Sequence, residues 1–261
     1  MKNYNNYIFE SLYPGIEKIS SQQFTEYLNN LKDFKLTDKG LFRGVELDKN
    51  PFYIVNYTNR TRIIGSVLSL IMEFHKSWSE YPKRSKSIIF TNSLKSAKSY
   101  ADVDDIMENP MENLYRVIPF DDSKFGLAPD SNYKLCFSKC NEDFIHYQKL
   151  FYELVSLCDS KYDLFINPTW TTIKNGGIKI IKSNYTKLMN NIDKSLDYGR
   201  SKNKKSKLLR FNNADELIEY YFNPTDNGFK ILNYKDLINN LTIKHEIWTD
   251  SPCLLARYDE L

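Results

Sequence analysis

Three short stretches, far apart in the chain, hold the side chains best suited to chemistry: Arg43 in LFRGV, Thr91 and Ser93 in FTNS, and Glu246 in KHEIW. Arg43 lies between apolar neighbours and beside Gly44. Its guanidinium fork matches a phosphate, and the glycine lets backbone or ligand come close. Taken alone, it reads at least as well as an edge-strand arginine paired with a carboxylate. Thr91 and Ser93 stand where an apolar run gives way to a helix start, where a hydroxyl suits a ribose or orients a carboxylate. Ser93 would cap that helix in any case. Glu246 sits among Ile243, Ile247 and Trp248. A strand glutamate can simply face solvent; held in a site, its charge stabilises a developing cation.

These residues need elements to position them. Leu41, Arg43, Val45 and Leu47 alternate with Phe42, Gly44 and Glu46, which predicts a strand over 41–47. The run SIIFT predicts a strand over 87–91, with Asn92 or Ser93 capping the helix LKSAKSYA. LYRVIPF predicts a strand over 114–120, IKHEIW one over 243–248, and CLLARY another near the end. YKLCF (133–137), DLFINP and GIKIIK are further strand candidates. Apolar residues at helical spacing predict helices from Ser20 or Ser21 to about 34, over 61–78 and over 141–158; 184–198 and 213–222 are also expected to be helical. The irregular order of strands and helices favours α+β over a doubly wound sheet, and no break in composition divides the chain.

Composition narrows the classes. Of 261 residues, 41% are hydrophobic, with 36 basic against 33 acidic side chains, so the net +3 gives no global pull towards nucleic acid. The wealth of Asn, Lys, Tyr and Ile suggests an AT-rich coding source, bacterial or phage. No apolar run approaches the ~20 residues a membrane helix needs, and the first residues carry no signal-peptide core, so a cytoplasmic protein without a membrane partner is expected. Cys136, Cys140, Cys158 and Cys253, with the scattered His75, His146 and His245, do not form a ligand spacing; no metal site is expected and the thiols should be free and mostly buried. The G-x-G-x-x-G, P-loop, H-E-x-x-H and G-x-S-x-G patterns are absent from the sequence.

The order Arg43, Thr91-x-Ser93, Glu246 on successive predicted strands resembles the R–S–E signature of ADP-ribosyltransferases. The resemblance spans roughly 38–135 and 225–258. It implies a split β-sandwich of two small, strongly bent sheets with covering helices, in one domain over 1–261 with a helical and basic insertion around 141–222. It also implies NAD, as substrate, in the cleft between the sheets. Arg43 and Gly44 would then hold the phosphates, Thr91 and Ser93 the nicotinamide ribose, and Glu246 would be catalytic, stabilising the ribose cation as nicotinamide leaves. Many family members place Glu or Gln two residues before the catalytic Glu. Here Lys244 stands there with His245 between, which makes both acceptor-side candidates and leaves the macromolecular acceptor open, protein or nucleic acid. An effector that modifies a host macromolecule is the leading expectation. The alternative is a non-enzymatic structural or nucleic-acid-associated protein carrying an inactive version of the fold.

One local charge run stands apart. Residues 194–210 carry Lys194, Arg200, Lys202, Lys204, Lys205, Lys207 and Arg210. Either this is a solvated loop between helices, or Lys204, Lys205 and Lys207 contact nucleic-acid phosphates.

Overall fold

The computed structural model describes residues 15–35, 40–45, 47, 50–56, 63–64, 67–101, 113–158 and 178–260. In chain order these form β1 (Ile16–Lys18), α1 (Ser21–Asn29), β2 (Phe42–Gly44), β3 (Phe52–Val55), β4 (Ile63–Ile64), α2 (Val67–Phe74), β5 (Ile88–Thr91), α3 (Leu94–Ala101), β6 (Leu114–Pro119) and β7 (Phe125–Leu127). There follow α4 (Ser138–Phe144), α5 (Tyr147–Leu157), β8 (Ile178–Lys179), α6 (Lys182–Ser201), α7 (Ala214–Phe222), β9 (Lys230–Leu232), α8 (Tyr234–Asn240), β10 (Glu246–Thr249) and β11 (Cys253–Arg257). No described helix is long and apolar enough to cross a membrane.

The chain divides into two compact units: 1–60, 81–132 and 230–261 form the first, and 61–80 with 133–229 the second. The stretch around 141–222, expected as an insertion, lies inside the second unit, which also takes in 61–80.

The first unit is built on a sheet of order β1-β3-β11-β6-β2-β5-β10-β7-β9, antiparallel at every pairing. This is α+β architecture, since hairpin-like antiparallel pairing needs no helix between neighbouring strands. The strands expected in two small sheets are joined in one ladder, which is thinnest between β2 and β5, where only Phe42 and Thr91 pair. Alternate residues face opposite sides of a strand. On one side Tyr53, Phe90, Tyr115, Val117, Leu127, Ile247 and Leu255 form a core with Tyr234 and Leu237 of α8. On the other, Phe24 of α1 packs on Phe52, Ile118, Leu254 and Ala256, its ring stacked 4.2 Å from that of Phe52. α1 starts where the sequence says it should. Ser20 Oγ accepts from the Gln23 amide, and the Gln23 side chain accepts from the Ser20 amide.

Several elements differ from the sequence expectation. The strand over 41–47 is reduced to Phe42–Gly44, with Glu46 outside the described residues, and the strand over 243–248 begins only at Glu246. The helix expected over 61–78 is Val67–Phe74 followed by a 3₁₀ turn, Lys76–Trp78, because His75 leaves helical geometry and its side chain caps that turn. Ile63 and Ile64, apolar residues that also fit a helical stripe, pair with β8 instead. The helix over 141–158 is two helices, broken at Ile145, whose φ is 68°, and restarted under a His146 side-chain cap. Tyr133–Leu135 is a 3₁₀ turn, not a strand. The strand expected in DLFINP lies outside the described residues.

In the second unit, Leu150, Phe151 and Leu154 of α5, Leu188, Ile192 and Leu196 of α6, and Leu217, Tyr221 and Phe222 of α7 are fully buried. The Trp78 indole donates to the Phe222 carbonyl at 2.9 Å.

Candidate active site

Arg43, Thr91 and Glu246 lie on β2, β5 and β10, neighbours in the centre of the sheet. Glu246 pairs with Thr91, and Thr91 pairs on its other side with Phe42, which faces Arg116 on β6. Residues laterally opposed across strands present their side chains to the same face, so Arg116, Phe42, Thr91 and Glu246 form one row. Arg43 is one residue out of this row and projects from the opposite face. There Leu41 and Val45, two residues to either side of it, are buried in the main core. Arg43 is half-buried, and beyond the Phe42–Thr91 pair its guanidinium donates through Nη1 to the Ile89 carbonyl of β5. Its Nε is buried without a hydrogen-bond partner. Gly44 ends β2 opposite Leu114.

Thr91 is 5% exposed, and its Oγ1 accepts from the Ser93 amide at 3.1 Å. A hydroxyl that accepts still has its own proton to donate. Ser93 is the helix cap the sequence suggested, its Oγ accepting from the Ser96 amide at 3.3 Å and from the Ser96 hydroxyl at 3.0 Å. The Asn92 amide ties the two strand ends together, donating to the Ile243 carbonyl at 2.6 Å and accepting from the His245 amide at 2.8 Å.

The Glu246 carboxylate has a partner that sequence reasoning missed. Arg84 Nη1 lies 2.7 Å from its Oε1, with side-chain exposures of 7% and 12%. Neither atom makes a well-aligned hydrogen bond, so the contact is an ion pair set by distance. The Arg84 guanidinium lies 4.9 Å from the centre of the Trp248 ring. Trp248 is fixed in turn by its indole N–H, which donates to the Pro82 carbonyl at 3.0 Å, and by Tyr81 stacked at 6.4 Å. Beneath the ring lies Gly126, where a Cβ would come within 2.2 Å of the indole, so only glycine lets the tryptophan lie flat across β7. The segment 81–86 is anchored at its middle by the Lys83 amide, which donates to Asp250 at 2.8 Å. In sequence, Arg84 is one of several cations in YPKRSK. Its signal was indirect: a glutamate between strand apolars and a tryptophan needs a cation if it turns inward.

The two acceptor-side candidates separate. Lys244 is exposed. His245 is 7% exposed, faces away from Glu246 by strand alternation, and bonds through Nδ1 to the Ala128 carbonyl at 2.8 Å, its Nε2 buried without a partner. A hydrogen bond to a carbonyl requires Nδ1 to carry a proton.

The basic stretch lies in the second unit and is not one loop. Residues 194–201 continue α6, Asn203 turns the chain with φ 50°, and Lys207–Arg210 form a 3₁₀ turn. Lys204 donates to the Ser156 carbonyl at 2.9 Å. Lys207 and Arg210 pair with Asp143, and Lys205 is exposed. Tyr221 also donates to Asp143 at 2.7 Å, and that bond, with the two cations, holds the Asp143 carboxyl below its ordinary range. The four cysteines are free. Cys140, Cys158 and Cys253 are buried, and burial pushes the Cys140 and Cys253 thiols up to about 12. Among the described residues no group of His, Cys, Asp or Glu is arranged to hold a metal.

No family model matches the chain, and no curated protein or solved structure matches it significantly.

Proposed function

We propose that the first unit is an NAD-dependent ADP-ribosyltransferase site acting on a macromolecular acceptor. The observation that carries this reading is the cross-strand pairing of Thr91 with Glu246, directly beside the strand that bears Arg43. Thr91 and Glu246, 155 positions apart, need not have met; an R–S–E site requires that they do, and Arg43 reaches the same region from the neighbouring strand, on its other face. The chemistry fits the parts. Glu246 supplies a fixed carboxylate for the positive charge that builds on the ribose as nicotinamide leaves, and the Thr91 hydroxyl has a proton to donate beside it. Arg43 stands at the thinnest join of the sheet, where a cleft between two halves would open, and its buried Nε has no protein acceptor.

A second reading is favoured by one specific observation. Glu246 is neutralised by Arg84 and only 12% exposed, and Arg43 already serves the Ile89 carbonyl, as in an inactive version of the fold kept for structure. Calorimetric titration of the chain with NAD separates the two. Saturable binding that Arg43→Ala weakens supports the enzyme reading. Heat indistinguishable from dilution leaves the structural one, since a fold by itself does not confer activity.

A further inference from the structure

The second unit carries a groove that the proposed NAD chemistry does not use. Its lining includes Asp143, Phe144, Ile145, Lys149, Tyr152 and Glu153, from the α4–α5 corner and along α5. Two features there are unlike an ordinary solvated surface. Ile145 is 75% exposed at φ 68°, a conformation that β-branched residues rarely adopt, and Tyr152 is 45% exposed. The basic stretch forms the rim. Lys204 is pinned to the Ser156 carbonyl, and Lys207 to Asp143 and over the Phe144 ring at 4.3 Å, so Lys205 between them is held at the groove's edge. Close packing fixes the rim: a Cβ on Gly199 would meet the Leu209 side chain at 2.9 Å and that of Leu157 at 3.2 Å. From residue 198 to 214 the chain has six cations and no acid. The groove has two acids of its own: Asp143, already matched by Lys207 and Arg210, and the half-buried Glu153. Against these two stand Lys149 and the six cations of 198–214, of which Lys202 and Lys205, like Lys149, are exposed.

We propose that this groove binds single-stranded nucleic acid, with Lys149, Lys202 and Lys205 on phosphates and Tyr152 stacked on a base. Cations alone would suit any polyanion; the exposed ring and isoleucine beside them suit a base face, which a duplex hides in its stack and an acidic peptide lacks. The proposal does not rest on NAD chemistry and survives if that reading fails.

The test is fluorescence anisotropy of the full chain with fluorescein-labelled dT12 and rU12 across 50–200 mM NaCl. Binding should be saturable and salt-dependent. K149Q/K202Q/K205Q should lower the slope of log K against log salt by about 2, at ~0.7 per single-strand phosphate contact. Y152A should weaken binding at least ~5-fold, the scale of one lost base stack. Circular dichroism melts matching wild type would establish that the variants are folded. Absence of saturable binding, equal binding of duplex DNA or polyglutamate, or affinity unchanged in folded K149Q/K202Q/K205Q would overturn the proposal.

Discussion

Breaking the Arg84–Glu246 pair should be costly from either side, and removing both charges together should not be. The partners are 2.7 Å apart with side chains only 7% and 12% exposed, so truncating Arg84 leaves the Glu246 carboxylate largely out of water without its cation, and truncating Glu246 takes from the Arg84 guanidinium a carboxylate in direct contact with it. Losses of this kind run to ~3–5 kcal/mol, whereas replacing a buried pair with apolar residues of similar volume is often near neutral. Arg84→Ala also uncovers the Trp248 ring, and Glu246→Ala removes the carboxylate beside the guanidinium that lies over it. We therefore expect Arg84→Ala and Glu246→Ala each to lower stability by ~3–5 kcal/mol, and R84M/E246L to lie within ~1 kcal/mol of wild type. At ~2–4 °C per kcal/mol for a domain of this class, each single change should lower Tm by roughly 10 °C. Urea unfolding followed by tryptophan emission is a suitable assay, because Trp248 lies directly under the pair. Single substitutions that cost under ~1 kcal/mol and add to the double-variant loss would refute the reasoning, since an exposed pair behaves that way.

Three further outcomes are expected. Gly126→Ala puts a methyl where the Trp248 ring lies and should cost ~1–3 kcal/mol by overpacking; wild-type Tm would show that the ring has room to move. Ser20→Ala removes one half of the reciprocal cap on α1 and should cost ~1 kcal/mol, measured by denaturant melt, with Ser20→Asp close to neutral. Burial pushes the His75 imidazole below its ordinary value, against the opposing pull of Asp215 and Glu219. Its neutral form is the one the fold favours, so its contribution is complete above the unfolded value near 6.5 and declines as pH falls through the lower folded value. Tm should fall between pH 7.5 and 5 more in wild type than in His75→Gln, and parallel curves would show that His75 is not responsible.

Residue types and their order were legible; pleat and partner were not. Ser20 with Gln23 marked the start of α1, and the apolar stripe of 213–222 matched α7 almost to the residue, because a cap and a 3.6-residue period are local signals. The break at Ile145 carries no glycine or proline to announce it, and tertiary packing overrode a continuous helical stripe. β3, Phe52–Val55, is apolar on both faces because it lies between two cores, and so it shows no alternation. In the candidate site, Arg43, Thr91, Ser93 and Glu246 could be singled out by residue type and order alone. Whether Arg43 shares a face with Thr91 and Glu246 depends on a one-residue offset between β2 and β5 that only the pairing reveals. Arg84 was invisible for a similar reason: it reaches Glu246 across 162 positions, and nothing in YPKRSK distinguishes the cation that turns inward.

Release of nicotinamide from NAD, followed by chromatography for wild type and Glu246→Gln, tests most directly the proposed role of Glu246 in stabilising a ribose cation. The amide keeps the size of the side chain and an acceptor oxygen for Arg84, while the charge is lost. With Glu246 in that role, wild type should release nicotinamide measurably and Glu246→Gln at least ~10²-fold more slowly, the scale of one lost transition-state stabiliser, while NAD affinity changes much less. No release by wild type with any candidate acceptor, or equal release by a folded Glu246→Gln, would contradict it.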